Sequence, residues 1–277
     1  TVGDRLDPRL ATWTLTLSAV LLAAASGLVL AALGATALGQ LTIVADAGNW
    51  SILVLRHHDP TGPYPALLAF LSLVAAFVGL VTVVVRRVSA LADTARTARL
   101  LPGAGSLAVL DDPAPHAFTL PGRPGRIVVS TGMLRALDPG ERRVLLAHER
   151  AHLRYTHHAF VTVAQVAAAT NPLLRPAARA VGYAVERWAD EHAARVVGDR
   201  VLTARAIGKA AVLAGPGAME RVARRVSALQ AAPRRAPVTL VVATAAVLAL
   251  ATVTATETAR DVHAAFESAE RVAARSS

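Results

Sequence analysis

Asp138-Pro139-Gly140-Glu141-Arg142-Arg143-Val144-Leu145-Leu146-Ala147-His148-Glu149-Arg150-Ala151-His152-Leu153 reads as one helix with a metal-binding face. Asp138 is an N-cap acceptor, Pro139 suits the first helical position, and Glu141 stands three residues after the cap, so a helix is expected from Pro139 to about His158. Polar Glu141, Arg142, Arg143, Glu149, Arg150 and Arg154 interleave with Val144, Leu145, Leu146 and Leu153, as in a helix packed on one side. A spacing of four puts His148 and His152 on one face, one turn apart, where two imidazoles can share a tetrahedral zinc. Glu149 beside them can reach a water at the ion. The chemistry needs each residue type, since neutral imidazoles hold the metal, the metal lowers the pKa of water to roughly 7, and the carboxylate takes the proton. Histidines at a coincidental spacing are the bland alternative.

A hydrolytic zinc site wants a third protein ligand and an open fourth position. Glu186-Arg187-Trp188-Ala189-Asp190 carries two acids four apart on a second helix, expected from Pro176 towards Val197. Glu186 can bind the metal while Asp190 accepts the outer N–H of a ligating histidine; otherwise the two acids form an exposed face. Residues 159–174, between the helices, are uncharged but too short for a full crossing, and Asn171-Pro172 breaks them, so a membrane-dipping hairpin is expected. Upstream, 106–110, 116–120 and 126–130 are short β-prone runs. Pro121-Gly122-Arg123-Pro124-Gly125 is a hairpin connection between the last two, which implies a small antiparallel sheet.

The rest of the chain is too apolar for an ordinary soluble domain, with 54% hydrophobic against 17% charged residues in 277. No charged side chain occurs in 10–45, 60–85 or 236–256, each longer than the ~20 residues a crossing helix needs. Three spans are expected, the first over about 13–38. A cleaved signal peptide is the other reading of the first, given Arg5 and Arg9 before it and the resemblance of Ala35-Thr36-Ala37 to a small-residue cleavage site, but its apolar run exceeds the roughly 7–15 residues of a signal. Residues 86–235 carry 23 Lys and Arg against 11 Asp and Glu, while the 46–60 loop and the tail after 256 each sum to −1. Arg86-Arg87 and Arg234-Arg235 flank the spans, so the positive-inside rule makes the middle region cytoplasmic. That accounts for the net charge of +10 as topology, and no spacing for a nucleic-acid module accompanies it. From Arg87 to Leu101 a helix is expected to leave along the membrane surface, ending at Pro102-Gly103. With no cysteine in the chain, disulfides, thiolate sites and cysteine nucleophiles are excluded, and any metal must use His and carboxylates.

These motifs resemble a membrane-embedded gluzincin metallopeptidase of the BlaR/MecR antirepressor type and, more distantly, the HtpX heat-shock and CAAX prenyl endoproteases. The resemblance runs over about residues 106–200 through Ala117-Phe118-Thr119, Ile127-Val128-Val129-Ser130-Thr131-Gly132-Met133-Leu134, the HExxH segment from Leu145 to Leu153, Asn171-Pro172, and Glu186-Arg187-Trp188-Ala189-Asp190. It implies His148, His152 and Glu186 as zinc ligands, Glu149 as general base and Asp190 as outer partner. It also implies a mainly α membrane protein with a small zincin-like α+β catalytic domain holding one zinc. The expected divisions are 1–86 with two spans, a cytoplasmic metallopeptidase domain at 87–235, a third span at 236–256 and an exterior tail helix at 257–277. The implied substrates are peptide bonds of a transcriptional repressor or a membrane protein. Transducers of the BlaR type continue into a penicillin-binding exterior domain, so direct β-lactam sensing is not expected of the short tail. Arg225-Val226-Ser227-Ala228-Leu229 is similar to an Arg-containing segment after the zinc helices of these families, and no role is assigned to it.

His57, His58, His116 and His263 read as surface residues. His157 and His158 read as capping the zinc helix, His192 as surface or an oxyanion aid, and Trp188 as core. Two other classes compete with the peptidase: a non-proteolytic zinc-binding membrane scaffold, and a basic peripheral module for DNA or anionic lipid.

Overall fold

The computed structural model describes residues 7–57, 63–101, 105–123, 125–214, 216–230 and 238–276. The chain divides into two compact units. One takes in residues up to Thr16 with Val84–Gln165 and Pro176–Pro237; the other comprises Leu17–Val83, Val166–Arg175 and Val238–Ser277.

Strands β1 (Leu107–Leu110), β2 (Ala117–Leu120) and β3 (Arg126–Ser130) form the sheet of the first unit, in the order β1-β3-β2. The hairpin between β2 and β3 lies where the Pro/Gly cluster puts it, with Ala117 opposite Val129 and Leu120 opposite Arg126. The sheet is mixed, however, and not antiparallel throughout: β1 runs parallel to β3, Leu107 beside Ile127 and Leu110 beside Ser130. The cause is burial plus link length. β3 is buried at every position and takes the centre, the hairpin fixes β2 on one side of it, and β1 is left with the other. Residues 111–116 are too few to cross the sheet and also run back its full length, so β1 must end where β2 begins. Asp112 anchors this link: its side chain accepts from Ala114 N, and its carbonyl accepts from Gly132 N and Thr131 Oγ1.

Helix α5 (Thr131–Ala136) starts on the Ser130 hydroxyl, which accepts from Met133 N. Helix α6 (Pro139–Arg154) has the expected reciprocal cap: Asp138 Oδ1 accepts from Glu141 N at 2.8 Å, and Glu141 Oε2 from Asp138 N at 2.9 Å. It is shorter than expected, because Thr156 adopts a left-handed conformation at φ 49° and α7 (His157–Thr170) begins after it. No glycine or proline announces this break. A 3-10 turn (Pro172–Leu174), capped by Asn171, leads into α8 (Arg175–Val197). Ala164 of α7 packs on Val181 and Val185 of α8, so part of the run expected to dip into a membrane is covered by protein. Helix α8 ends at Gly198, whose φ of 76° suits a residue without a side chain, and α9 (Arg200–Ala214) and α10 (Pro216–Gln230) follow.

Helix α6 is packed on two sides. Ile127, Val129, Met133 and Leu137 meet its Leu145, Leu146 and Leu153, while its Val144 and Ala147 meet Ala193 of α8 and Ala206 of α9. Ala194, Ile207, Ala211, Val222 and Leu229 close a further core among α8, α9 and α10. The face of α6 that bears His148 and His152 is therefore framed by fixed elements.

The second unit is helical. Among the described residues two helices are long and apolar enough to cross a membrane, Pro8–Gly39 (α1) and Tyr64–Leu100, which lies within α4 (Pro63–Leu100). On α4, Leu68, Phe77 and Val78 are well exposed. The surface helix expected after Arg87 is a continuation of α4 itself, since neither glycine nor proline interrupts Val85 to Leu101; the stop at Pro102-Gly103 lies outside the described residues. The third apolar run begins on residues outside the described set. From Val238 it is helical, and it continues unbroken to Ser276 as α11. Two short helices, α2 (Thr42–Gly48) and α3 (Ile52–His57), occupy the loop after α1. There Trp50 and Leu55 pack on Ala265, Phe266 and Ala269 of α11, and Trp50 meets Phe266 edge to face at 5.2 Å. His58 lies outside the described residues.

Candidate metal centre

Helix α6 presents His148, Glu149 and His152, and α8 presents Glu186 and Asp190. One donor atom each from His148, His152 and Glu186 lie within 4.8 Å of one another. The two Nε2 atoms are 3.0 Å apart, and Glu186 oxygens lie 3.7 Å from His148 Nε2 and 3.6 Å from His152 Nε2. Donors around a tetrahedral zinc, with bonds of about 2.0–2.2 Å, stand roughly 3.3–3.6 Å apart, and the three separations here lie within about 0.3 Å of that range. At this distance the two Nε2 atoms either share one hydrogen or turn both lone pairs to a common cation, and the second state is the one a metal would use.

The surroundings set the charge states. Burial, then the charges of His148 and Arg225, pushes His152 down to about 3, so its imidazole is neutral as a ligand must be. Burial opposes charge on His148 too, but Asp190, Glu186 and Glu149 together outweigh it and raise that pKa. Its Nδ1 lies 3.0 Å from Asp190 Oδ1, close but poorly aligned for a hydrogen bond. Burial, with Glu186 adding to it, lifts the Glu149 carboxyl above the ordinary range despite His148 and Arg225. Asp190 moves the opposite way: burial disfavours its charge, and Arg225 and His148 more than offset that.

Arg225, to which the sequence motifs gave no role, is brought to this cluster by the structure. From α10 its Nε and Nη2 donate to the two oxygens of Asp190 at 2.7 and 2.6 Å, and its Nη1 lies 2.9 Å from Glu186 Oε2. One guanidinium thus bridges Glu186 and Asp190 of α8. A signal was present in the sequence: Val222, Val226 and Leu229 mark the apolar face of α10, and Arg225 falls within it. A charge on a buried stripe needs a partner.

Other expectations fare differently. Glu191, the third acid of α8, makes a two-toothed pair with Arg200, at 2.7 and 2.9 Å. Trp188 is core, stacked on Tyr155 at 4.8 Å. His157 does not cap α6; it opens α7, buried, with Nδ1 3.1 Å from His152 Nδ1. His192 Nδ1 is 3.3 Å from the Tyr155 hydroxyl. His116, expected at the surface, lines a cavity of about 410 Å3 whose wall also includes Ala117, Glu149, Glu186 and Arg225. That volume falls in the range of ligand-binding clefts.

Residues 82–173 match the sequence profile of peptidase family M48. The matched third of the chain contains the sheet, α6 and the HExxH motif; Glu186, Asp190 and Arg225 lie beyond it. Neither a curated protein nor a solved structure matches the chain. The profile match supports a zinc-dependent metallopeptidase and does not separate the antirepressor type from the heat-shock and prenyl-endoprotease types.

Proposed function

We propose that this chain is a membrane-anchored zinc endopeptidase acting on a cytoplasmic or membrane-proximal protein. The observation that carries the reading is the convergence of His148, His152 and Glu186 beside a cavity that Glu149 also lines. Zinc held by those three residues would supply Lewis acidity towards a carbonyl and towards water. Glu149, with its basicity raised by burial, takes the proton of the attacking water and returns it to the leaving amine. Asp190 orients His148, and Arg225 keeps Glu186 and Asp190 aligned. The strand β2 forms one edge of the sheet and its Ala117 borders the cavity, so an extended peptide can add alongside β2 and enter the site as a further strand. By the motif resemblance, the protein cut is a transcriptional repressor or a membrane protein. The test compares cut fragments in cells carrying the intact chain or Glu149→Gln: fragments present only with the intact chain identify the substrate, and none at all leaves the non-proteolytic scaffold standing.

The membrane setting rests on three uncharged runs and on the excess of Arg between the second and third. Residues before α1 then lie inside and the tail outside. The packing of Trp50 and Leu55 on Phe266 and Ala269 supports this, since it joins the two segments expected on the exterior. A reporter fused after Ser277 should be active only in the exterior compartment; a cytoplasmic signal would mean that a span is miscounted.

A further inference from the structure

Each imidazole on the metal-binding face has a second ring nitrogen, and the two are treated differently. His148 turns its outer nitrogen to the carboxylate of Asp190, 3.0 Å away. His152 turns its Nδ1 to another imidazole, that of His157, at 3.1 Å. A neutral imidazole has one N–H and one lone pair. When His152 gives its Nε2 lone pair to a metal, Nδ1 must carry the hydrogen, and that hydrogen needs an acceptor. His157 Nδ1 is in place to accept it, with its own hydrogen on Nε2. We propose that His157 is the positioning residue for His152: it accepts the Nδ1–H of His152 and so fixes the tautomer and ring orientation that present Nε2 to the metal.

The position is built and not incidental. His157 is 1% exposed and its Nε2 has no hydrogen-bond partner among the described residues, so burying this imidazole gains nothing on that side. Its ring packs against both Tyr155, at 5.8 Å, and Trp188, at 4.8 Å, which stack on each other. Five residues after His152, it would lie off the metal-binding face if α6 continued. The left-handed Thr156, a conformation disfavoured for a β-branched residue, breaks the helix and returns the chain beneath His152. Strain of this kind gathers where function requires a fixed geometry. The arrangement also leaves the centre with one carboxylate-backed and one neutrally backed histidine.

This inference rests on the zinc reading, and its test separates the two. Zinc affinity is measured by chelator competition on detergent-solubilised full chain, and cobalt is substituted to read ligand geometry from its visible absorption. His157→Phe keeps a ring against Tyr155 and Trp188 but removes the acceptor; zinc affinity should fall by about 10- to 100-fold, as when outer partners are lost, with an altered cobalt spectrum. His157→Asn places an amide oxygen near the Nδ1 position and should restore most of the affinity and the native spectrum. A native chain that binds no zinc overturns both readings. Native affinity and spectrum in His157→Phe overturn this one alone. Should His157→Phe fail to fold, His157→Leu against His157→Asn makes the same comparison, and equal affinities there overturn the proposal.

Discussion

Glu149→Gln is expected to bind zinc as the native chain does while hydrolysing peptide at least about 100-fold more slowly, the usual scale of general-base catalysis. The residue is 8% exposed and adjoins His148, but it is not one of the three residues whose donors converge. Replacing a carboxylate oxygen by an amide nitrogen keeps volume and removes the proton acceptor. Burial raises the basicity of this carboxyl, so the native group is a better base for water than an exposed glutamate and the substitution removes more. The measurement pairs metal content with turnover of a quenched peptide. Near-native turnover with full metal would sink the mechanism, whereas lost metal would instead move Glu149 among the ligands.

Glu186→Ala should lose most bound zinc and all activity, since two histidines alone leave the ion one ligand short of a catalytic centre. Its neighbours sharpen the comparison. Asp190→Asn should keep a metal site weakened by about 10- to 100-fold. It also leaves Arg225 buried with half its carboxylate partnership gone, and breaking a buried pair costs about 3–5 kcal/mol, so zinc should be measured on the folded fraction. Glu191→Ala should retain zinc and activity and lose only the Arg200 pairing that ties α8 to α9. Full occupancy in Glu186→Ala, assayed beside these two, would show that another group completes the set.

What the sequence disclosed follows the range of the interactions involved. The cap at Asp138, the hairpin at 121–125 and the facing of His148 with His152 are set by residues within a few positions of one another, and each was readable. The direction of β1 depended on which strand wins the centre of the sheet, a competition for burial that no short window contains. Arg225 reaches acids 35 and 39 residues earlier in the chain, and only its place on an apolar face hinted at them. The break at Thr156 has no local cause in glycine or proline: continuing α6 would have been allowed by propensity, and the packing of Tyr155, His157 and Trp188 overrides it.

Strand β2 is four residues long. Because alternate residues of a strand turn their amides to opposite neighbours, a peptide joining this edge meets only a few free backbone groups. At about 0.5–1.5 kcal/mol net for each hydrogen bond, they supply only a few kcal/mol, roughly millimolar retention. A backbone grip this weak neither selects side chains nor captures a dilute protein from bulk solution. On the proposed reading, cleavage depends on effective concentration: a target tethered to the same bilayer, or docked nearby through another surface, should be cut far ahead of a free one with the same peptide sequence.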